Sequence, residues 1–188
     1  MKKGGNIGKT AKHCRDTISG ARIRPIPTLA SVNGVAAGAG FSLALACDLR
    51  IASGDARFAA SFIRVGLHPD WGGTYFLTRI AGGAVARDLV FSGRLVGAEE
   101  ALRLGLVSQI VDSGMLAERT REMALELASA PPVSIRYARE AIARAENASL
   151  EEILDLEEEA QLACFRTEDA LEGLLAFTEK RRPTFKGK

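Results

Sequence analysis

Apolar residues follow two rhythms along this chain. From residue 25 to 60 they come in short runs broken by glycine, asparagine and aspartate, and from Gly72 onward they return every three or four positions. The first rhythm predicts strands and the second helices. TLASVN (28–33) reads as a buried strand, entered from Pro25 and Pro27, which bias the backbone towards an extended form. Asp48–Ser53 has strand character ended by Gly54-Asp55, ARFAA (56–60) is a further strand, and LVSQIV (106–111) is one more. Phe41–Ala46 continues a glycine-rich turn as an apolar helix, and TYFLTRIAG, AVARDLVFSG and AEEALRLG read as helical segments with glycines at their ends. Beyond Ser113 the chain is helical nearly to its end, broken by Pro131-Pro132 and restarted at Ser149, whose serine with Glu152 three residues on makes a capping box. Residues 1–10 read as flexible and 11–21 as a short helix. The pattern therefore gives an N-terminal segment (1–24), an α/β part (25–111) and a helical C-terminal region (112–188).

Composition narrows the function classes. A chain of 188 residues, 47% apolar, suits one domain with a real core. A net charge of +2 with dispersed basic residues, apart from Lys2-Lys3 and Lys180–Arg182, argues against nucleic acid as the main partner. Cys14, Cys47 and Cys164 are far apart and form no CxxC pair, so neither a zinc site nor a disulfide framework is indicated, and a reducing, cytoplasmic setting is the simple expectation. No apolar run reaches membrane-spanning length, and the first fourteen residues carry no apolar core of a secretory signal, so no membrane partner is expected.

Two stretches carry candidate chemistry. In GVAAGAGFSLAL (34–45) a strand runs into Gly38-Ala39-Gly40 and then a helix. The first N–H groups of such a helix point out of the sheet end with the positive end of the dipole behind them, which suits a phosphate or an oxygen gaining negative charge. No Gly-Lys-Ser/Thr follows, and AAGAG lacks the GxGxxG register, so the anionic oxygen is the sharper reading and tight packing the plainer one. The second stretch is GLHPDWGGTYFLTR (66–79). Asp70 is readable as a helix cap or dipole partner. Its neighbours Leu67, Pro69 and Trp71 predict instead a desolvated carboxylate whose pKa rises towards that of a useful base. His68 reads as a surface or supporting group and Trp71 as a wall. Tyr75 and Phe76 fit either an acyl pocket or helix core.

Taken in order, LASVNGVAAGAGFSLALACDLRIAS, FIRVGLHPDWGGTYFLTRIAG, FSGRLVGAEEALRLGLVSQIV and TEDALEGLLAFTEKRRPTF resemble the crotonase, or enoyl-CoA hydratase/isomerase, superfamily from about Pro25 to Phe185. The resemblance implies an α/β fold with a partial crotonase-like ββα spiral core and an α-helical C-terminal region used in trimerisation. It implies an acyl-CoA thioester as substrate, no cofactor other than the coenzyme A of that substrate, and a homo-oligomer, trimer or hexamer. Ala39 then supplies a backbone N–H to the thioester oxygen, with Gly38 and Gly40 at its flanks, and loss of such a donor typically costs about 3–4 kcal/mol of transition-state stabilisation. Asp70 matches the single catalytic aspartate of several members, and GL-x-PD-x-GGT-x-FL-x-R is most like the epoxyphenylacetyl-CoA isomerase type. Trp71 and Gly72 fall beside the substrate, and Phe177, Lys180 and Arg181 match a region that reaches towards the CoA of a neighbouring subunit. For these last three an ordinary solvated helix end is the alternative.

The sequence departs from the hydratase pattern where it matters most. Hydratases of the family carry glutamates at the positions of Ser42 and Phe62, and neither residue here can exchange a proton with water in the way that hydration requires. Double-bond isomerisation with Asp70 as proton shuttle is therefore the favoured expectation, and a non-catalytic CoA-binding or assembly protein the alternative. No F-[CS]-A-G-x-D-like motif occurs before Pro25, so the loop supplying the second oxyanion N–H is expected to be missing. The chain is then either a piece of a longer one or a shortened relative, with weakened catalysis and exposed apolar surface.

Overall fold

A two-residue clamp brings the first pair of strands together. The Asp48 carboxylate accepts from the Thr28 N–H at 2.7 Å and from its hydroxyl at 2.8 Å, while the Asp48 N–H donates back to Thr28 Oγ1 at 3.0 Å. From that clamp β1 (Leu29–Val32) runs parallel to β3 (Leu49–Ser53), with Leu29 beside Leu49 and Val32 beside Ala52. Arg50 then ties β3 to the segment that follows it in space, donating to the Leu106 carbonyl at 2.7 Å and to that of Cys47 at 2.6 Å. The structure, a computed structural model, describes residues 12–20 and 25–188, so the expectation for residues 1–10 lies outside the described residues.

The described chain divides into two compact units. The first comprises residues up to Arg24 and Thr28–Arg121, and the second Pro25–Pro27 with Glu122–Lys188. The first unit holds two small sheets. One has the parallel order β1-β3-β6, with β6 over Gln109–Val111. The other has the order β2-β4-β5, formed by β2 (Val35–Ala37), β4 (Arg57–Ala59) and β5 (Val96–Gly97), parallel between β2 and β4 and antiparallel between β4 and β5. The helices of this unit are α1 (residues 12–20), α2 (Ala39–Ala46), α3 (Gly73–Ser92) and α4 (Ala98–Arg103), with a 3₁₀ turn at Ser61–Val65. Its core joins Phe41, Leu45, Phe58, Leu77, Leu89 and Leu106, and α2 packs against both β2 and α3.

Three expectations change in the structure. The glycine-rich turn expected between residue 33 and Phe41 contains the strand β2, because Val35–Ala37 pair with Arg57–Ala59 across the sheet. TYFLTRIAG and AVARDLVFSG lie on the one element α3, kinked at Gly82, where φ is 80° and ψ 160°. Val96 and Gly97, which lie between the helical segments AVARDLVFSG and AEEALRLG in a stretch expected to be mostly helical, form the short strand β5. Arg94 anchors this region, pairing with Asp88 at 2.8 Å and Glu100 at 2.7 Å.

Helix α5 (Leu116–Ala128) crosses from the first unit into the second, which continues with α6 (Pro132–Ala145), α7 (Leu150–Phe165) and α8 (Glu168–Glu179). Proline opens α6 at its first turn, where a missing N–H costs nothing. The Ser149–Glu152 capping box opens α7 as predicted. Within this unit the last residues fold back on α8. Asp169, buried, accepts from the N–H groups of Lys186 and Gly187 at 2.6 and 2.9 Å. Glu172 takes both Arg181 and the Thr184 N–H.

Two outcomes follow from these contacts. Ser53 is fully buried on β3 and its hydroxyl has no hydrogen-bond partner among the described residues. Ser53→Ala is therefore expected to leave stability unchanged or raise it by up to about 1 kcal/mol, whereas Phe58→Ala costs about 3–5 kcal/mol, both read from urea unfolding. The Arg181 guanidinium, and after it the Thr184 N–H, holds the Glu172 carboxyl down at about 2 instead of 4.5. A depressed carboxyl stabilises above its unfolded value and loses that contribution as pH falls through the folded one. The tail is expected to loosen from α8 between about pH 4.5 and 2, detected as loss of amide protection, and Glu172→Gln should weaken the dependence on acid while the Asp169 contacts remain.

Candidate active site

The site begins with one glycine. Gly38 has φ 53° and ψ −121°, a conformation closed to ordinary L residues. Its N–H donates to the Ala59 carbonyl at 2.9 Å and its carbonyl accepts the first helical bond of α2 from Ser42 at 3.0 Å. The chain thus leaves β2, turns sharply at the edge of β4, and starts a helix whose first N–H groups, those of Ala39, Gly40 and Phe41, have no acceptor within it. Alanines and Phe41 bury the helix beneath this turn, so its direction is fixed by the core.

Side chains close around that turn from two directions. A methyl at Gly38 would meet the Phe62 ring at 3.6 Å and Ser61 Oγ at 3.7 Å, so the 3₁₀ turn lies over the start of α2. On the other side Ser42, only 3% exposed, presses on the first residue of α3, where a methyl at Gly73 would overlap the serine hydroxyl. The two positions matched to hydratase glutamates are thus a phenyl ring and a packed serine. Neither offers a carboxylate.

Asp70 stands at the entrance to α3. Its carbonyl accepts from the Gly73 N–H at 2.9 Å, closing a turn whose two central residues, Trp71 and Gly72, both have positive φ (54° and 73°). This is the sign pattern of a type I′ turn, unusual for a tryptophan. The Asp70 side chain is exposed, and Leu67 is itself 59% exposed. The desolvated carboxylate predicted from the apolar neighbours is therefore corrected: residues adjacent in sequence do not enclose it, because the 66–70 loop runs along the surface. His68 is also exposed. Phe76 belongs to the core, and Tyr75 is a partly exposed ring beneath the Arg79 guanidinium, 3.6 Å from its centroid.

Sequence reasoning missed a neighbour of Trp71. His13 of α1 meets its ring edge-on, and only the folded chain brings it there. The remaining expected residues, Phe177 and Lys180, lie in the second unit. Phe177 is 86% exposed, Lys180 ends α8 in a left-handed conformation, and the Arg181 guanidinium is engaged by Glu172 and Glu179. Among the described residues no three His, Cys, Asp or Glu side chains gather as metal ligands, and no helix is long and apolar enough to cross a membrane.

With this geometry in view, comparison with known proteins is informative. The family described as Enoyl-CoA hydratase/isomerase matches residues 5–188. The 1,2-epoxyphenylacetyl-CoA isomerase of Escherichia coli is 43% identical over 164 residues, 87% of this chain and 63% of that protein. The short-chain-enoyl-CoA hydratase of Clostridium acetobutylicum is 39% identical over 156 residues, 83% of this chain and 60% of that protein. A crystal structure of an enoyl-CoA hydratase from Bacillus anthracis superposes with a TM-score of 0.95 at 36% identity, covering 99% of this chain and 72% of that one. The chain thus spans about three fifths of the length of these curated relatives.

The packing of Ser42 on Gly73 is directly testable. Gly73→Ala is expected to cost about 1–3 kcal/mol of stability through overpacking. Ser42→Ala in the same chain should recover part of that loss, and a double-mutant cycle by denaturant unfolding measures the coupling.

Proposed function

The chain belongs to the enoyl-CoA hydratase/isomerase family, and from that premise we propose that it moves a double bond in an acyl-CoA thioester through an enolate, with Asp70 as the proton carrier. The Asp70 carboxylate takes a proton from one carbon of the acyl chain. The electron pair released passes to the thioester oxygen, which the Ala39 N–H holds at the start of α2. The same carboxylate returns the proton at the other end of the allylic system. Atoms and charge balance with no water consumed.

The observation that carries this reading is the pair Ser42 and Phe62. A serine packed on Gly73 and a ring lying over Gly38 leave the turn without the two carboxylates that water addition uses. A single carboxylate is sufficient for a proton shuttle, and positioned acid–base groups typically contribute 10²–10⁴-fold. Gly38, Gly40, Trp71 and Gly72 frame the acyl group, while Phe177 and Lys180 meet CoA, the latter pair across an interface in a trimer or hexamer. The resemblance of GL-x-PD-x-GGT-x-FL-x-R to the isomerase relative supports the choice. The exposed apolar residues Leu150, Leu154, Phe165, Leu171 and Leu174 favour a second reading, an assembly or CoA-binding role without turnover.

Asp70→Asn separates the two readings. It is expected to lower conversion of a 3-enoyl to a 2-enoyl thioester by about 10²–10⁴-fold, followed by product chromatography, while oligomeric state is retained. Equal turnover in parent and variant would sink the role given to Asp70. A 3-hydroxyacyl product would identify hydration instead, and calorimetric titration with acetoacetyl-CoA reports whether the enolate site forms at all.

A further inference from the structure

Lys180 closes α8 in a conformation that its own side chain disfavours, with φ 55° and ψ 38°. The Arg181 N–H donates to the Ala176 carbonyl at 3.0 Å and the Lys180 N–H to that of Phe177 at 3.3 Å. This pair of bonds is the Schellman closure of a helix, in which glycine usually takes the left-handed place. A residue with a Cβ persists there only where its surroundings over-determine it.

The surroundings are the chain's own continuation. Residues 181–188 run back along α8 from its end to its start. The Arg181 guanidinium makes a two-pronged pair with the Glu172 carboxylate at 2.6 and 2.9 Å, and the Thr184 N–H donates to the same group at 2.8 Å. Phe185 lies over Gly173, its ring 3.5 Å from where a methyl there would sit. Beyond it Asp169 takes the Lys186 and Gly187 N–H groups, and the Lys188 carbonyl accepts from the Glu168 N–H at 2.7 Å. Of these contacts the Glu172 pair stands next to the hinge, and a two-pronged guanidinium–carboxylate pair fixes direction as well as distance. A glycine at 180 would close α8 with less strain and carry no charge, so the exposed lysine is what the strain preserves.

We propose that Glu172 is a positioning residue: through Arg181 and the Thr184 N–H it straps the following segment to α8, keeps Lys180 in its left-handed turn, and thereby fixes where the ammonium stands relative to the exposed Phe177. The consequence for ligand binding, an ammonium aimed at the phosphates of CoA, rests on the reading of Lys180 as a CoA contact. The strap itself is independent of that reading. Without it, Lys180 would relax towards negative φ and its ammonium would leave the end of α8.

Amide hydrogen exchange on the whole chain tests the strap with no ligand present. It is followed by NMR in the parent, Glu172→Ala, Lys180→Gly and the double variant. Glu172→Ala is expected to speed exchange at the Lys180 and Arg181 amides by about tenfold and to leave the amides of α7 unchanged. Arg181→Ala, which removes the pair from its other side, should do the same. In the Lys180→Gly background the acceleration should fall to about twofold or less, because glycine holds the turn unaided. Equal acceleration in both backgrounds, or none in the parent, overturns the proposal. In calorimetric titration with coenzyme A, Glu172→Ala should weaken binding roughly fivefold where Lys180 is present and leave it unchanged where glycine replaces it, a restriction that a merely structural role would not show. No binding by the parent, or an equal loss in both backgrounds, defeats the CoA role of Lys180 and leaves the exchange rates to decide the strap.

Discussion

Everything at this site depends on how closely α2 approaches α3. Ser42 and Gly73 meet with no room for a methyl group between them, and that contact sets the distance between the helix that offers free N–H groups and the loop that carries Asp70. Interiors are packed densely enough that such a contact transmits small displacements and does not absorb them. The glycine and alanine run of residues 34–40 serves the same approach from the sheet side. Gly38 turns the chain at the edge of β4, and the alanines of β2 let the sheet lie close beneath α2.

The close approach also explains the division of chemistry between backbone and side chains. On the proposed reading, a backbone donor at Ala39 requires only that the helix start in the right place, and the buried face of α2 fixes that start. The side-chain groups are less protected, since they sit on the 3₁₀ turn and on the exposed 66–70 loop. On the proposed reading, the oxygen-binding geometry therefore rests on the core, while the fate of an enolate depends on a few loop residues.

Much of this was legible in the sequence, and the failures have physical causes. β1, β3, β4 and β6 were readable because runs such as TLASVN and LRIAS combine β-branched or apolar residues with clear breaks. The capping box at Ser149 is local chemistry and was found for that reason. β2 was missed because Val35-Ala-Ala has little strand propensity of its own and is extended by pairing with residues more than twenty positions away. The burial predicted for Asp70 failed because sequence neighbours on a surface loop face solvent. The contact of His13 with Trp71 joins residues 58 positions apart and left no local signal.

The relatives illustrate the same division. A hydratase at 39% identity and an isomerase at 43% stand almost equally near this chain, as expected if identity is dominated by the residues that build the shared turn and core. Distinguishing between them therefore falls to positions 42, 62 and 70. On the proposed reading, serine and phenylalanine at the first two remove the means of handling water, and the aspartate at the third keeps the means of carrying a proton. A single exposed carboxylate serves this purpose only if it is aimed at the acyl chain and covered by the bound substrate, because a carboxyl open to water exchanges its proton with solvent before returning it. The strained turn at Trp71 supplies such a constraint in the backbone immediately beside Asp70. On the proposed reading, the backbone turn beside Asp70 takes the place that burial was expected to fill.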